Sequence, residues 1–141
     1  MKIILRSDVK GDWQSVFRAF DRTLFEFLLP PGAKLLRFDG SRSGDIVHLR
    51  FPLNMEWKSK ITQDHEENEH AFFVDEGVIL PLGLKNWHHE HHVFKDGDGA
   101  RIEDRITFSM GNTVLTMLTY PFLYLAFLPR VWQYKKYFKN F

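Results

Sequence analysis

The stretch Trp87-His88-His89-Glu90-His91-His92-Val93 sets four of the chain's seven histidines beside an aspartate-glycine turn, and Asp104 follows on the far side. Three chemistries use such residues. An imidazole backed by a carboxylate is a general acid or base. Imidazoles and carboxylates together ligate metal ions. A few polar groups on an apolar wall orient a bound small molecule. The bland alternative is a buried, satisfied hydrogen-bonded pair with no chemistry. The direction in which each side chain points decides among them.

The turn Asp96-Gly97-Asp98-Gly99 predicts a hairpin, since glycine tolerates the positive φ of tight turns. Pairing Asp96 with Gly99 sets Val93 opposite Ile102, His91 opposite Asp104, His89 opposite Ile106 and Trp87 opposite Phe108, all on one face. The other face pairs Phe94 with Arg101, His92 with Glu103, Glu90 with Arg105 and His88 with Thr107, a polar and charge-complementary set suited to water. A slip of one residue would spoil both patterns. The histidines are therefore two pairs: His88 and His92 turn to solvent, while His89 and His91 turn inward with Asp104 across from His91. A carboxylate on an apolar face needs a partner, and His91 is the expected one. Zinc is the weakest reading, because two histidines at i and i+2 need further ligands and none is evident. No metal and no cofactor are expected. His65 and His70 flank a predicted turn and read as solvated.

The elements that must position these residues follow from the rest of the chain. One domain over 1–141 is expected from its 141 residues, with 44% hydrophobic content, 26% charged content and 14 phenylalanines. The formal net charge of +1 gives no global reason to expect nucleic acid, and the absence of cysteine excludes disulfides, thiolate metal sites and a cysteine nucleophile. Only three apolar residues in a row precede Arg6, too few for a signal-peptide core, so a cytoplasmic protein is expected. The uncharged run from Ile106 to Pro129 resembles a membrane span, but its start completes a strand and Pro121 and Pro129 interrupt it. It predicts a buried helix, apolar nearly all round.

Residues 2–9 read as a strand, Asp12 as the cap of a helix carrying Trp13, Val16, Phe17 and Phe20, and 21–29 as a second helix stopped by Pro30-Pro31-Gly32. Six more extended segments and a C-terminal helix from about Asn112 follow. Strands joined by short turns form an antiparallel meander, and a curved sheet wrapped round the last helix is the expectation.

The run Leu28-Leu29-Pro30-Pro31-Gly32 through His48-Leu49, then Trp57 to Thr62, Phe72 to Glu76, Trp87 to His91 and the Asp104 strand, resembles the START-like (SRPBCC) superfamily. That group includes polyketide cyclase/dehydrase-like and birch-pollen-allergen-like proteins. The likeness is strongest to small ligand-binding members with a W-x-H-x-H strand after an F-V-D segment. It implies an α+β helix-grip fold, with a seven-stranded antiparallel sheet gripping a long C-terminal helix and two short helices after strand 1. It also implies an apolar cavity for lipids, sterols or polyketides. Val78 to Gly83 depart from the glycine-proline-aromatic segment common in relatives. The resemblance favours Phe73 and Asp75 as the inward pair of their strand, where alternation alone leaves Phe72 and Val74 equally open.

The candidate cavity residues are thus Trp57, Ser59, Ile61, Phe73, Asp75, Trp87, His89, His91, Asp104, Ile106 and Phe108, with Leu118, Phe122 and Leu125 as a helical ceiling. Binding of a hydrophobic small molecule is the leading expectation. The alternative is a cyclase, dehydratase or hydrolase using His91 and Asp104 as an acid/base pair. No nucleic-acid partner is expected. The tail, with Lys135, Lys136 and Lys139 among Trp132, Tyr134, Tyr137 and Phe138, suits peripheral contact with an anionic membrane. Oligomeric state stays open.

Overall fold

In the computed structural model, which describes residues 1–141, seven strands run β1 (Lys2–Val9), β2 (Lys34–Phe38), β3 (Ile46–Phe51), β4 (Met55–Glu67), β5 (His70–Ile79), β6 (Asn86–Asp96) and β7 (Gly99–Ser109). Helices α1 (Trp13–Arg18) and α2 (Arg22–Leu28) follow β1, and α3 (Thr113–Phe127) and α4 (Arg130–Tyr137) end the chain. The strands form one antiparallel sheet in the order β1-β7-β6-β5-β4-β3-β2. It is a meander with β1 added beside β7.

Local chemistry accounts for each element. β1 alternates strictly, burying Ile3, Leu5, Ser7 and Val9 and exposing the residues between them. Asp12 and Asp21 cap α1 and α2, their carboxylates accepting from the backbone N–H groups of Ser15 and Leu24. The β6–β7 hairpin has the register expected from its turn, with Asp96 opposite Gly99, His91 opposite Asp104 and Trp87 opposite Phe108. Gly97 takes φ 57° in that turn. A Cβ on Gly99 would lie 2.6 Å from the Val9 carbonyl oxygen, so the end of β1 closes on the hairpin only over a glycine.

Two apolar clusters fill the concave side. One joins Val9, Val16, Phe20, Leu24, Phe73, Val93 and Ile102 to Tyr134 of α4 and Phe138 just after it. The other joins Ile3, Leu5, Trp87, Ile106 and Phe108 to half-buried Tyr120, Leu123 and Phe127 of α3. Along β6 and β7 the histidines and Asp104 lie between the two.

The C-terminal helix runs as two pieces meeting at Leu128-Pro129, as its prolines suggest, because Pro129 has no N–H to continue the backbone ladder. Two expectations are corrected. α3 is not a buried helix: Thr116 is its one buried residue. His92 and His70 are not solvated, although His92 does project from the convex face. His92 is buried and His70 half-buried in a row of flat rings with Phe72 and Phe94, and His70 stacks on Phe94 at 4.3 Å between centroids. Their ring nitrogens meet at 2.8 Å. Side-chain stacking across strands shields them where no other element does.

Ile106 has no exposed surface and sits in the second cluster. Ile106→Ala is expected to cost about 2–5 kcal/mol in urea unfolding, the usual range for an unfilled core cavity.

Candidate functional site

The polar layer between the clusters is built by three adjacent strands. β5 supplies Asp75, β6 supplies His89 and His91, and β7 supplies Asp104. All four are buried, as are Trp87 and Phe73 around them. Asp75 lies directly opposite His89, and His91 opposite Asp104, yet the shortest bonds run diagonally. The His89 Nε2–H donates to Asp104 Oδ1 at 2.8 Å, and the His91 Nε2–H donates to Asp75 Oδ2 at 2.8 Å. The expected His91–Asp104 pair is present as a longer contact, and His89 is the nearer partner of Asp104. His91 Nδ1 lies 3.3 Å from Asp104 Oδ1 but makes no hydrogen bond, and His89 Nδ1 faces Asp75 Oδ2 at 3.5 Å. The sheet offsets opposite side chains enough for long rings to reach the diagonal neighbour.

Neighbouring groups hold this set in place. The indole N–H of Trp87 donates to Asp75 Oδ1 at 3.2 Å. Phe73 stacks on His91 at 4.3 Å between centroids, and the two imidazoles lie 3.8 Å apart. Arg130, the first residue of α4, brings Nη1 to 3.9 Å from Asp104 Oδ1 while its guanidinium covers the Phe127 ring at 4.9 Å. Tyr134 lies beside Arg130, and both its hydroxyl and Arg130 Nη1 are buried without a hydrogen-bond partner.

The charges follow from these neighbours. Burial pushes His89 down to about 4, with His91 adding to the effect and the Asp104 bond offsetting only part of it, so His89 is neutral. Burial also opposes charge on His91, but Asp104 and Asp75 on either side outweigh it and raise its pKa. For Asp104, burial favours the neutral acid. His89, His91 and Arg130 overcome that and hold it well below the usual carboxylate range. Asp75 is lowered against burial in the same way, by His91, His89 and Arg130. Burial raises the Tyr134 phenol. Two carboxylates are therefore ionised within an apolar interior and are compensated by His91 and Arg130.

Beside this layer lies a cavity of about 380 Å³. Trp57, Ser59, Ile61, Asp75, Trp87, His89 and His91 all lie on its wall, where sequence reasoning places them. Phe73, Asp104, Ile106 and Phe108 do not: Phe73 and Asp104 back the histidines, and the other two belong to the second cluster. The ceiling is also corrected. Leu118, Phe122 and Leu125 point away from the sheet at 61%, 74% and 63% exposure, and Leu123, Ala126 and Phe127 face the cavity instead. Because α3 is apolar all round, its sequence does not distinguish the two stripes. Arg130, Gln133, Phe25 and Leu49 are wall residues that sequence reasoning missed. For Arg130 a signal existed: it is the first charge after the uncharged run from Ile106 to Pro129.

No family model matches the chain, and no curated protein matches it by sequence. Solved structures do match its fold. A truncated norcoclaurine synthase from Thalictrum flavum aligns with a TM-score of 0.68 at 20% identity, covering 94% of this chain and 91% of that one. Ginseng major latex-like protein 151 from Panax ginseng aligns at 0.64 and 18% identity, covering 94% and 95%. A hypothetical protein from Helicobacter pylori aligns at 0.72 and 13%, covering 98% and 88%. At these identities the likeness is one of fold, and a fold that includes a named synthase does not choose between turnover and binding.

Asp104→Ala would leave His89 without its acceptor and Arg130 and His91 without the nearby balancing charge. A loss of about 3–5 kcal/mol in denaturant unfolding is expected, as for one partner removed from a buried ion pair.

Proposed function

We propose that this chain, a single START-like helix-grip domain, binds a hydrophobic small molecule in the cavity between its sheet and its C-terminal helices. The observation that carries this reading is the cavity itself: about 380 Å³, within the roughly 300–1,000 Å³ typical of small-molecule sites, with apolar walls and one polar patch. Leu28, Val47, Leu49, Phe51, Leu123 and Phe127 supply affinity by desolvation, at about 25 cal/mol per Å² of apolar surface buried. His89, His91, Asp75 and Arg130 converge on one side and set orientation. The ligand is accordingly a lipid-, sterol- or polyketide-like molecule with an oxygen-bearing polar end.

Ala126 lies on the wall yet is largely exposed, so a larger side chain there fills space at little cost to folding. Protein purified from its own host is expected to retain an apolar ligand in native mass spectrometry. Ala126→Trp is expected to weaken its binding at least tenfold with the melting temperature nearly unchanged. A protein that is always empty and takes up no apolar ligand in a screen ends this reading.

Such a ligand is delivered from a membrane, and the outer stripe of α3 suits that contact for a protein resident in the cytoplasm. Leu118, Phe122 and Leu125 are exposed at helical spacing on α3, Trp132 is exposed on α4, and Lys135, Lys136 and Lys139 follow. No acidic residue occurs after Asp104. A basic, apolar helix face of this kind binds anionic headgroups. Co-sedimentation is expected with phosphatidylserine-containing vesicles and much less with neutral phosphatidylcholine ones, and Leu118→Asp with Phe122→Asp should reduce it at least tenfold. Equal indifference to both vesicle types refutes the contact.

A further inference from the structure

The wall of the cavity carries a more specific arrangement than a polar patch. Asp75, His89 and His91 each offer one ligand atom, and these atoms all lie within 4.8 Å of one another. Asp75 Oδ2 is 2.8 Å from His91 Nε2 and 3.5 Å from His89 Nδ1. Around a divalent first-row ion with bonds of about 2.0–2.1 Å, neighbouring ligand atoms sit about 3 Å apart. The two separations to Asp75 Oδ2 need shift by only about half an ångström to meet that geometry, and the two imidazole donors lie within 4.8 Å of each other.

The surroundings already orient the three donors. Asp104 Oδ1 accepts from His89 Nε2 at 2.8 Å and lies 3.3 Å from His91 Nδ1. One carboxylate thus sits behind both imidazoles: it accepts the His89 Nε2 proton and lies within ion-pair distance of His91 Nδ1. This leaves His89 Nδ1, and His91 Nε2 once it gives up its proton, as lone-pair donors turned towards Asp75. A carboxylate behind a ligating histidine is the usual support of a metal-bound imidazole. Trp87 plays the matching part for Asp75: its N–H occupies Oδ1 and leaves Oδ2 for the shared point. With the His89 proton on Nε2, its Nδ1 lone pair faces Asp75 Oδ2 at 3.5 Å, an arrangement that a cation bound by both would favour. Arg130, near Asp104, offsets the second negative charge from behind.

We propose that Asp75, His89 and His91 bind one divalent transition-metal ion, of the zinc or ferrous class, as a three-residue face on the cavity wall. Two imidazoles with one carboxylate select such borderline ions over magnesium or calcium. The ion takes the place of the proton between His91 Nε2 and Asp75 Oδ2, which is released on binding. All three donors lie on the cavity wall, so the remaining coordination positions open on the cavity and take water or an oxygen donor of a bound molecule. In sequence, His89 and His91 lack a third ligand; Asp75 supplies it from the adjacent strand, directly opposite His89. The proposal is independent of which apolar ligand the cavity holds, since the ion needs none.

Full-length protein stripped with a chelator and dialysed would be titrated with Co²⁺, read by its visible d–d absorption, and with Zn²⁺ by calorimetry. One equivalent binding at micromolar concentration or tighter is expected, with Zn²⁺ displacing the Co²⁺ spectrum. His89→Gln and Asp75→Asn are expected to weaken it at least a hundredfold, and Asp104→Asn by about 10–100-fold as a supporting residue. His92→Gln, on the convex face, should leave it unchanged. Far-UV circular dichroism checks each variant's fold, and the wild-type titration decides the matter if a variant fails to fold. Absence of one-equivalent binding by the wild type overturns the site. So does one-equivalent binding that survives in folded His89→Gln and Asp75→Asn.

Discussion

Two ionised carboxylates, Asp75 and Asp104, sit inside an interior that is otherwise apolar, and each must be compensated where it stands. His91 and Arg130 carry the balancing charge, and neutral His89 completes the hydrogen bonding. This requirement ties distant parts of the chain together. β5, β6 and β7 must align so that Asp75 meets His89 and His91 meets Asp104. A one-residue slip in β6 would carry both imidazoles to the convex face and leave the carboxylates bare. α4 must begin where Arg130 reaches Asp104, which sets the helix against the concave face and lets Tyr134 and Phe138 pack in the first cluster.

The same layer explains why the interior holds a cavity rather than a continuous core. It separates the two apolar clusters along β6 and β7, so neither spreads across the sheet. The high phenylalanine content supports the polar groups as much as the core. Phe73 stacks on His91, Phe127 lies beneath Arg130, and Trp57 meets Trp87 edge to face at 4.6 Å. Rings packed on polar groups restrict their rotamers, so whatever enters the cavity meets donors and acceptors already placed. Such pre-organisation serves a ligand's polar end and an ion equally well.

α3 shows how little a helix that is apolar on all sides reveals about its own orientation. The stripe through Tyr120, Leu123, Tyr124 and Phe127 packs on the second cluster, while the opposite stripe through Leu118, Phe122 and Leu125 is left open. Large apolar side chains exposed together on one face are uncommon on an isolated soluble domain and mark a surface that meets something else.

Periodicity and turn chemistry carried much of the architecture. The capping aspartate at 12, the glycine turn at 97–99 and the alternation of β6 are local signals, and local signals survive in a linear chain. They sufficed for seven strands, the hairpin register and the inward direction of His89 and His91. Sequence did not determine who bonds whom. Asp75 lies 14 residues from His89 in the chain, and Arg130 lies 26 beyond Asp104, so their meeting depends on strand pairing and on where α4 docks. The diagonal exchange of partners, the inward stripe of α3 and the ring stack that covers His92 belong to tertiary structure for the same reason. Each is settled by packing between elements, and a pattern of one residue type along one element contains no term for its neighbour.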